Sequence, residues 1–301
     1  MFDRKQYYTS SLSLKNRYCF RKELKSDSAY ERQVLAFDEY NTEYVILFER
    51  IGNCFPDMKN LLFELPIHNA IIYPIDLIKK FNVYTYENEI GYVYPLSILN
   101  FEEIDYLSNR LSIEDKAKYL AQLSYTLEDI HRHGIFLNGF DRKQVLVNSG
   151  KIKFRYNGFK NHNRNSIYKV PNCLADSYAY IPWIQDVFSL VAIIFECMYQ
   201  WNPFFGRMTS FSADEEYQFE VFYNNFRKKI FIFEEDKKLN QIGFLMDQRS
   251  VIEKWLKTDP SICVFFQHIL TMDIPKEYTK ESTFEKIHKV IGYYYNSKIF
   301  Q

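Results

Sequence analysis

Glycine is scarce in this chain. It accounts for 9 of the 301 residues, which is about 3% where about 7% is usual. Glycine-rich loops are the means by which many proteins cradle phosphate groups, because a backbone without side chains can approach the phosphate closely. The shortage disfavours a phosphate-binding loop of that kind.

Other features are missing as well. Basic and acidic side chains number 38 each, so no global field attracts nucleic acid or an anionic membrane. The five cysteines are scattered and odd in number, which is typical of a reducing compartment and predicts neither a disulfide framework nor a metal site. The longest apolar run, Leu190–Phe195, is too short to cross a bilayer, and residues 1–8 lack the apolar core of a secretory signal. We therefore expect a cytoplasmic protein that contacts neither nucleic acid nor membrane.

What the chain does contain is a globular mixture of 47% apolar and 25% charged residues. The length suits two domains, or one domain built from two lobes. Before Pro95 the sequence favours strands, with one helix predicted at Met58–Leu65 from the spacing of its apolar residues. The predicted strands form two pairs: Gln33–Phe37 with Tyr44–Phe48, and Asn82–Tyr86 with Ile90–Tyr94 around a turn at residues 87–89.

Helices dominate after Pro95. Ser112 and Asp115 resemble a capping box at the start of a helix that ends at Gly134. Asn148-Ser149-Gly150 predicts a tight turn between two short strands. Further helices are predicted at Asp186–Tyr199, Asp259–Met272 and Thr279–Tyr293.

Three stretches, in this order along the chain, resemble the protein-kinase fold. Leu127–Ile135 is similar to the end of the kinase helix that precedes the catalytic loop, and Val145–Lys153 is similar to the hairpin that follows this loop. Asp186–Phe195 and Asn202–Arg207 resemble the kinase Asp-x-(Trp/Phe)-Ser-Leu-Gly helix and its Pro-Phe-x-Gly continuation. Asn202–Arg207, with Ile230–Glu234 downstream, is most similar to bacterial stand-alone kinases. The resemblance covers almost the whole chain. It implies an α+β, bilobal architecture, with a β-rich N-lobe at 1–95 and a mainly helical C-lobe at 96–301.

Kinases transfer a phosphoryl group with a loop over the phosphates, a lysine, two metal ligands and a base. In the kinase pattern, the glycine positions of the first loop hold Ser26, Ser28 and Glu31, which would keep the backbone and the phosphates apart. The lysine position holds Phe48, and Glu64 stands where the partner of that lysine would be.

The remaining catalytic positions also depart from the kinase pattern. The base becomes Gly139, the metal-binding Asn becomes Gln144, and the metal-binding Asp becomes Tyr156. General-base catalysis contributes about 10²–10⁴ in rate, and glycine offers no proton acceptor. Asp141 is the nearest carboxylate, and it is either a shifted base or a solvated loop residue. Asn157 offers one neutral oxygen, whereas Mg²⁺ prefers carboxylates and phosphate.

These departures indicate a catalytically inactive pseudokinase that acts as a protein-interaction scaffold or regulator. The resemblance implies a protein partner, such as an active kinase, a phosphatase or another product of the same bacterial system. We expect no cofactor and no metal. We also expect Phe48 and Tyr156 to project into the space where phosphates and metal would sit, and so to close or narrow the cleft.

Two alternatives stay open. The first is a kinase-like enzyme that transfers another group through a non-standard site, with Glu64, Asp141, Gln144 and Asn157 as its candidate residues. The second is a nucleotide-sensing switch without chemistry, which requires a pocket that aromatic side chains do not fill.

Overall fold

The computed structural model describes residues 7–9, 17–24, 31–51, 67–82, 87–103, 111–156, 168–170, 181–202, 206–207, 223–224, 226 and 247–300. These residues form a mixed α+β protein in which strands come first and helices follow. This arrangement confirms the predicted fold class. Contacts divide the chain into two compact units. The first unit comprises the described residues within 1–103, 144–149 and 153–164, and the second unit comprises those within 104–143, 150–152 and 165–301.

Strands make up most of the first unit. They are β1 (Tyr7–Thr9), β2 (Arg17–Leu24), β3 (Glu31–Phe37), β4 (Glu43–Ile51), β5 (Ile71–Ile72), β6 (Asp76–Asn82), β7 (Glu87–Pro95), β8 (Glu102–Glu103), β9 (Val145–Asn148) and β10 (Lys151–Arg155). The larger sheet has the order β1-β2-β3-β4-β7-β6, and the smaller has the order β5-β10-β9-β8. The pairs of the larger sheet are antiparallel, whereas β5 and β10 run parallel.

The first predicted hairpin is confirmed as β3 and β4. Its turn is held by the Asp38 carboxylate, whose Oδ1 accepts the N–H groups of Tyr40 and Thr42 at 2.9 Å each. Asn41 adopts a left-handed conformation there, with φ 61°. Asp and Asn suit such a turn because their short polar side chains bond nearby backbone and tolerate this region.

The second predicted hairpin is wrong in its register. The sequence predicted a turn at residues 87–89, but these residues lie within β7, and the pairing of β6 with β7 joins Asn82 to Glu87. The acidic residues suggested a solvated turn. The structure instead buries Glu89 and places its Oε2 3.6 Å from Nη2 of Arg32 on β3. A cation on another strand of the same sheet thus allows a buried carboxylate where the sequence alone predicts a solvent-exposed one.

Successive strand residues point to opposite sides of a sheet, and each face of the larger sheet carries a buried apolar cluster. The Leu146 cluster covers one face and consists of Val45, Leu47, Leu77, Ile90, Tyr92, Tyr94, Ile98 and Leu146. The Phe48 cluster covers the other and consists of Tyr18, Val34, Ala36, Ile46, Phe48, Ile78 and Val93. The hydroxyl of Tyr18 donates to Oδ2 of Asp76 at 2.7 Å, which ties β2 to the edge strand β6.

The second unit is mainly helical. Its helices are α1 (Ile113–Arg132), α2 (Pro182–Tyr199), α3 (Asp247–Lys257), α4 (Pro260–Leu270) and α5 (Lys280–Asn296), with a short pair of strands β11 (Trp201–Asn202) and β12 (Gly206–Arg207). Helix α1 packs against α5, and α2 contacts α1, α4 and α5. The helices predicted after Pro95 are confirmed at α1, α2, α4 and α5. The helix predicted at Met58–Leu65 lies outside the described residues.

Helix α1 begins as its sequence predicts. The Ser112 hydroxyl oxygen accepts the N–H of Asp115 at 3.1 Å, and Gly134, with φ 73°, follows the helix end. A single face of α1 is buried, on which lie Leu120, Leu123, Leu127 and Ile130. Among the described residues, no helix combines the length and the apolar composition needed to cross a membrane.

Candidate functional site

Asp186, near the start of α2, is the centre of a buried hydrogen-bond network in the second unit. Its Oδ2 accepts the N–H of Leu137 at 2.8 Å, and its Oδ1 accepts the N–H of Gly139 at 2.6 Å. Nε2 of His131, at the end of α1, lies 2.8 Å from the same Oδ2. The fully buried carboxylate is thereby compensated. The loop that the sequence resemblance aligns with the kinase catalytic loop is consequently bent around Asp186.

The backbone of this loop is left-handed at two successive residues. Asn138 has φ 55° and Gly139 has φ 79°. Glycine adopts such angles freely, and asparagine tolerates them better than other side chains. A Cβ at position 139 would lie 3.4 Å from both Cγ of Lys169 and Oγ of Ser189. Glycine therefore suits the backbone conformation, and a Cβ here would be in contact with both side chains.

Helix α2 holds a second segment beside the loop. Oγ of Ser189 accepts the N–H of Phe140 at 3.0 Å and donates to the carbonyl oxygen of Tyr168 at 2.6 Å. The hydroxyl of Tyr168 donates to Oε2 of Glu196 at 2.6 Å. Burial, together with the charge of Glu196, raises the pKa of Tyr168 well above its usual value. The phenol therefore stays protonated and remains a donor.

Asp141, the candidate shifted base, is engaged by its own loop. Its Oδ1 accepts the N–H of Lys143 at 3.0 Å, at the start of a short 3₁₀ helix, Arg142–Gln144. Capping a turn in this way is a common structural use of a loop aspartate. Asp141 and Gly139 thus share one loop. The Asp141 carboxylate accepts a hydrogen bond from the backbone of that loop.

Gln144 and Tyr156 lie in the first unit and are both buried. Nε2 of Gln144 donates to the carbonyl oxygen of Arg155 at 3.5 Å. The hydroxyl of Tyr94 donates to the carbonyl oxygen of Tyr156, and the rings of Tyr156 and Tyr73 are 5.7 Å apart. These contacts bring the two positions together at the end of β10, where they serve packing and backbone hydrogen bonding.

Phe48 lies elsewhere in the first unit. Its ring is buried in the Phe48 cluster, with the Arg32 guanidinium 4.6 Å above the ring centre. Tyr94, which binds the Tyr156 carbonyl, belongs to the cluster on the opposite face of the sheet. Phe48 therefore points away from the face on which Tyr94 reaches Tyr156, and the expectation that Phe48 and Tyr156 project into one common space is corrected.

The sequence pattern considered Phe48 at the lysine position and missed its neighbour Leu47, which points to the opposite face of the sheet. It lies on the same face as Leu146, the residue two positions after Gln144. The alternation of β4 was visible in the sequence and would have distinguished Leu47 from Phe48. Either side chain is apolar and can form no ion pair with a phosphate. Of the other predicted positions, Glu31 begins β3, while Ser26, Ser28, Glu64 and Asn157 lie outside the described residues.

Comparison with known proteins adds a similarity in structure. No protein-family model and no curated protein matches the sequence. Among solved structures, the chain is similar to MAP kinase LmaMPK10 from Leishmania major, with 13% sequence identity and a TM-score of 0.47. The similarity covers 90% of this chain and 83% of the kinase.

Proposed function

We propose that this chain is a catalytically inactive, protein-kinase-like protein that acts through contact with another protein. Gly139 carries the proposal. Its N–H is bound to Asp186 at 2.6 Å, so the loop keeps a defined shape, yet the residue that would be the base has no side chain to accept a proton.

The other positions of the kinase pattern support the same conclusion. Phosphoryl transfer relies on positioned charges and metal ligands. Leu47 and Phe48 are apolar and buried in two cores, Gln144 is bonded to backbone, and Tyr156 is packed beside Tyr73. None of these four side chains supplies a phosphate-binding cation or an anionic metal ligand.

The loop is nevertheless strongly held, because its backbone N–H groups donate buried hydrogen bonds to Asp186 and Ser189. Such a network holds this part of the second unit in one conformation whether or not chemistry occurs there. We propose that the unit held in this way serves recognition, with an active kinase, a phosphatase or another product of the same bacterial system as the partner, in the cytoplasm.

A phosphotransfer assay tests the absence of catalysis. The chain would be incubated with γ-phosphate-labelled ATP, Mg²⁺ or Mn²⁺, and a general protein substrate. The expected result is that the wild type and Asp141→Asn transfer no more label than a reaction without the protein. Transfer by the wild type that Asp141→Asn reduces would overturn the proposal, because it would identify Asp141 as a working base.

The interaction arm needs a separate measurement. The tagged protein, purified from its own cells under several conditions, is expected to carry a partner at constant stoichiometry. Recovery only as a free monomer under every condition would contradict the scaffold or regulator role.

A further inference from the structure

An open groove, which we call the α1/α5 groove, runs between two helices of the second unit and has a volume of about 280 Å³. Ala117 and Ala121 of α1 line one side of its floor, and Gly292 of α5 lines the other. A Cβ built on Gly292 would find no atom within 4 Å. The floor is thus formed by small residues on neighbouring helical turns, which is the kind of surface into which another helix can pack.

Two exposed aromatic rings border the groove. Tyr125 of α1 is 59% exposed and Tyr295 of α5 is 45% exposed, and both line it. Large aromatic side chains left this accessible beside an apolar floor are typical of interaction surfaces, because they bury much area at a small entropic cost. The small floor and the aromatic rims together form a concave apolar surface.

His288 makes the centre of the groove neutral. Its ring is 4.4 Å from the ring of Tyr125, and its Nε2 is inaccessible to solvent and 4.0 Å from Oε2 of Glu128. Burial lowers the pKa of His288, although the charge of Glu128 acts in the opposite direction. The imidazole is therefore uncharged at neutral pH.

The charged groups at the groove are paired within α1. Lys118 lines the groove and lies 2.8 Å from Glu114, and Arg132, outside the lining, lies 2.7 Å from Glu128. These pairs leave an occupant no net charge to neutralise. An occupant that placed its own charge there would lose hydration without gaining a partner, so the complementary surface is an uncharged apolar face.

The size of the groove favours a short segment as the occupant. Ala117 to Tyr125 spans two turns, about 12 Å of helix. A stable interface with a second folded chain buries about 800 Å² on each partner, which is more than a two-turn groove provides. A helix of two or three turns fits both the length and the rows of small residues.

We propose that the α1/α5 groove binds the uncharged apolar face of a short amphipathic helix from a partner protein. This inference rests on the proposed function, because it locates a contact surface of the scaffold. The bound helix presents large apolar residues at positions i, i+4 and i+7. These side chains rest on Ala121 and Gly292 between the two tyrosines.

A displayed library of helical peptides tests the proposal. The peptides are built from Ala, Glu and Lys, with positions i, i+4 and i+7 randomised, and are selected on the intact chain. Enriched peptides are expected to carry Leu, Phe or Trp at the randomised positions. Their dissociation constants are then measured against Ala121→Arg, which puts a charge in the groove, and Gly292→Leu, which fills it.

Both variants are expected to raise the Kd of the enriched peptides at least about tenfold. Gln122→Arg is the matched control, since it adds the same charge at the adjacent exposed position, which does not line the groove; its Kd should equal that of the wild type. Thermal unfolding verifies that each variant folds. If Ala121→Arg does not fold, the Kd measured for Gly292→Leu alone decides the test.

The proposal is overturned if no peptide with the apolar spacing is enriched, or if enriched peptides bind both groove variants as tightly as the wild type. It is also overturned if the chain forms a concentration-dependent dimer that Gly292→Leu abolishes, because the occupant is then a second copy. Phosphotransfer activity would refute the proposed function but would leave these binding results unchanged, so the two failures are distinguishable.

Discussion

The backbone N–H of Gly139 donates a 2.6 Å hydrogen bond to Oδ1 of Asp186, at a residue whose φ is 79°. This contact fixes the shape of a loop that resembles the kinase catalytic loop. Because Gly139 has no side chain, residue 139 offers no proton acceptor, while its backbone N–H holds the loop. Stability measurements can therefore address the shape of the loop independently of any activity.

Replacing Asp186 should strongly destabilise the second unit. Asp186→Ala removes the acceptor of two buried N–H groups and the partner of His131. We expect the free energy of unfolding to fall by about 3–5 kcal/mol. Asp186→Asn, which keeps one oxygen, should cost less. Chemical denaturation measures both.

The control for this experiment is Glu281→Ala. The Glu281 side chain is 75% exposed, and its Oε1 makes a long, 3.8 Å contact with Nζ of Lys280. Its loss should therefore change the free energy of unfolding by no more than about 0.5 kcal/mol. A cost for Asp186→Ala as small as that of the control would show that the network is not structural.

Two glycines with similar backbone angles separate strain from crowding. Gly134 and Gly139 have φ 73° and 79°, but only a Cβ at 139 would approach other atoms, at 3.4 Å from Lys169 and Ser189. Gly134→Ala should cost about 1–2 kcal/mol for its conformation alone, and Gly139→Ala should cost more. Equal losses in denaturant titrations would argue against a tightly enclosed loop.

Gly91 on β7 gives Phe48 its position. A Cβ at Gly91 would lie 2.7 Å from Cε1 of Phe48, so Gly91→Ala should destabilise the first unit by about 1–3 kcal/mol through overpacking. Adding Phe48→Leu, a smaller side chain, should recover part of this loss. A double-mutant cycle measures the coupling, and purely additive effects would contradict the described packing.

His288 should make stability depend on pH. Burial lowers the pKa of His288 from 6.5, so the unfolded chain takes up the proton first as the pH falls. The stabilisation is fully present above pH 6.5 and is lost progressively below it. The difference in unfolding free energy between wild type and His288→Gln should therefore shrink from about pH 7 to about pH 5. A difference that stays constant over this range would refute the shift.

The elements predicted from sequence succeed where local signals agree with burial. Ser112 and Gly134 mark the two ends of α1, and the apolar residues between them face the core. The second hairpin failed because Glu89 is compensated by Arg32 from another strand. A contact of this kind depends on tertiary structure and leaves no local pattern.

The candidate site shows the same division. Gly139, Gln144 and Tyr156 were identified by their places in the motifs, but the sequence could not show that Asp141 caps Lys143 or that Tyr94 binds the Tyr156 carbonyl. The direction of the Phe48 side chain, in contrast, could have been predicted from the sequence. Strand alternation places Leu47 and Phe48 in separate clusters.

Whether the chain binds nucleotide is tested by a thermal-shift titration with ATP, ADP and GTP, each with and without Mg²⁺ or Mn²⁺. A ligand at one hundred times its Kd stabilises a protein by about 2.7 kcal/mol, which is easily visible. No combination of nucleotide and metal ion is expected to raise Tm. A metal-dependent rise in Tm that Asp141→Asn abolishes would contradict this expectation, because it would show a working nucleotide site at the loop of Gly139.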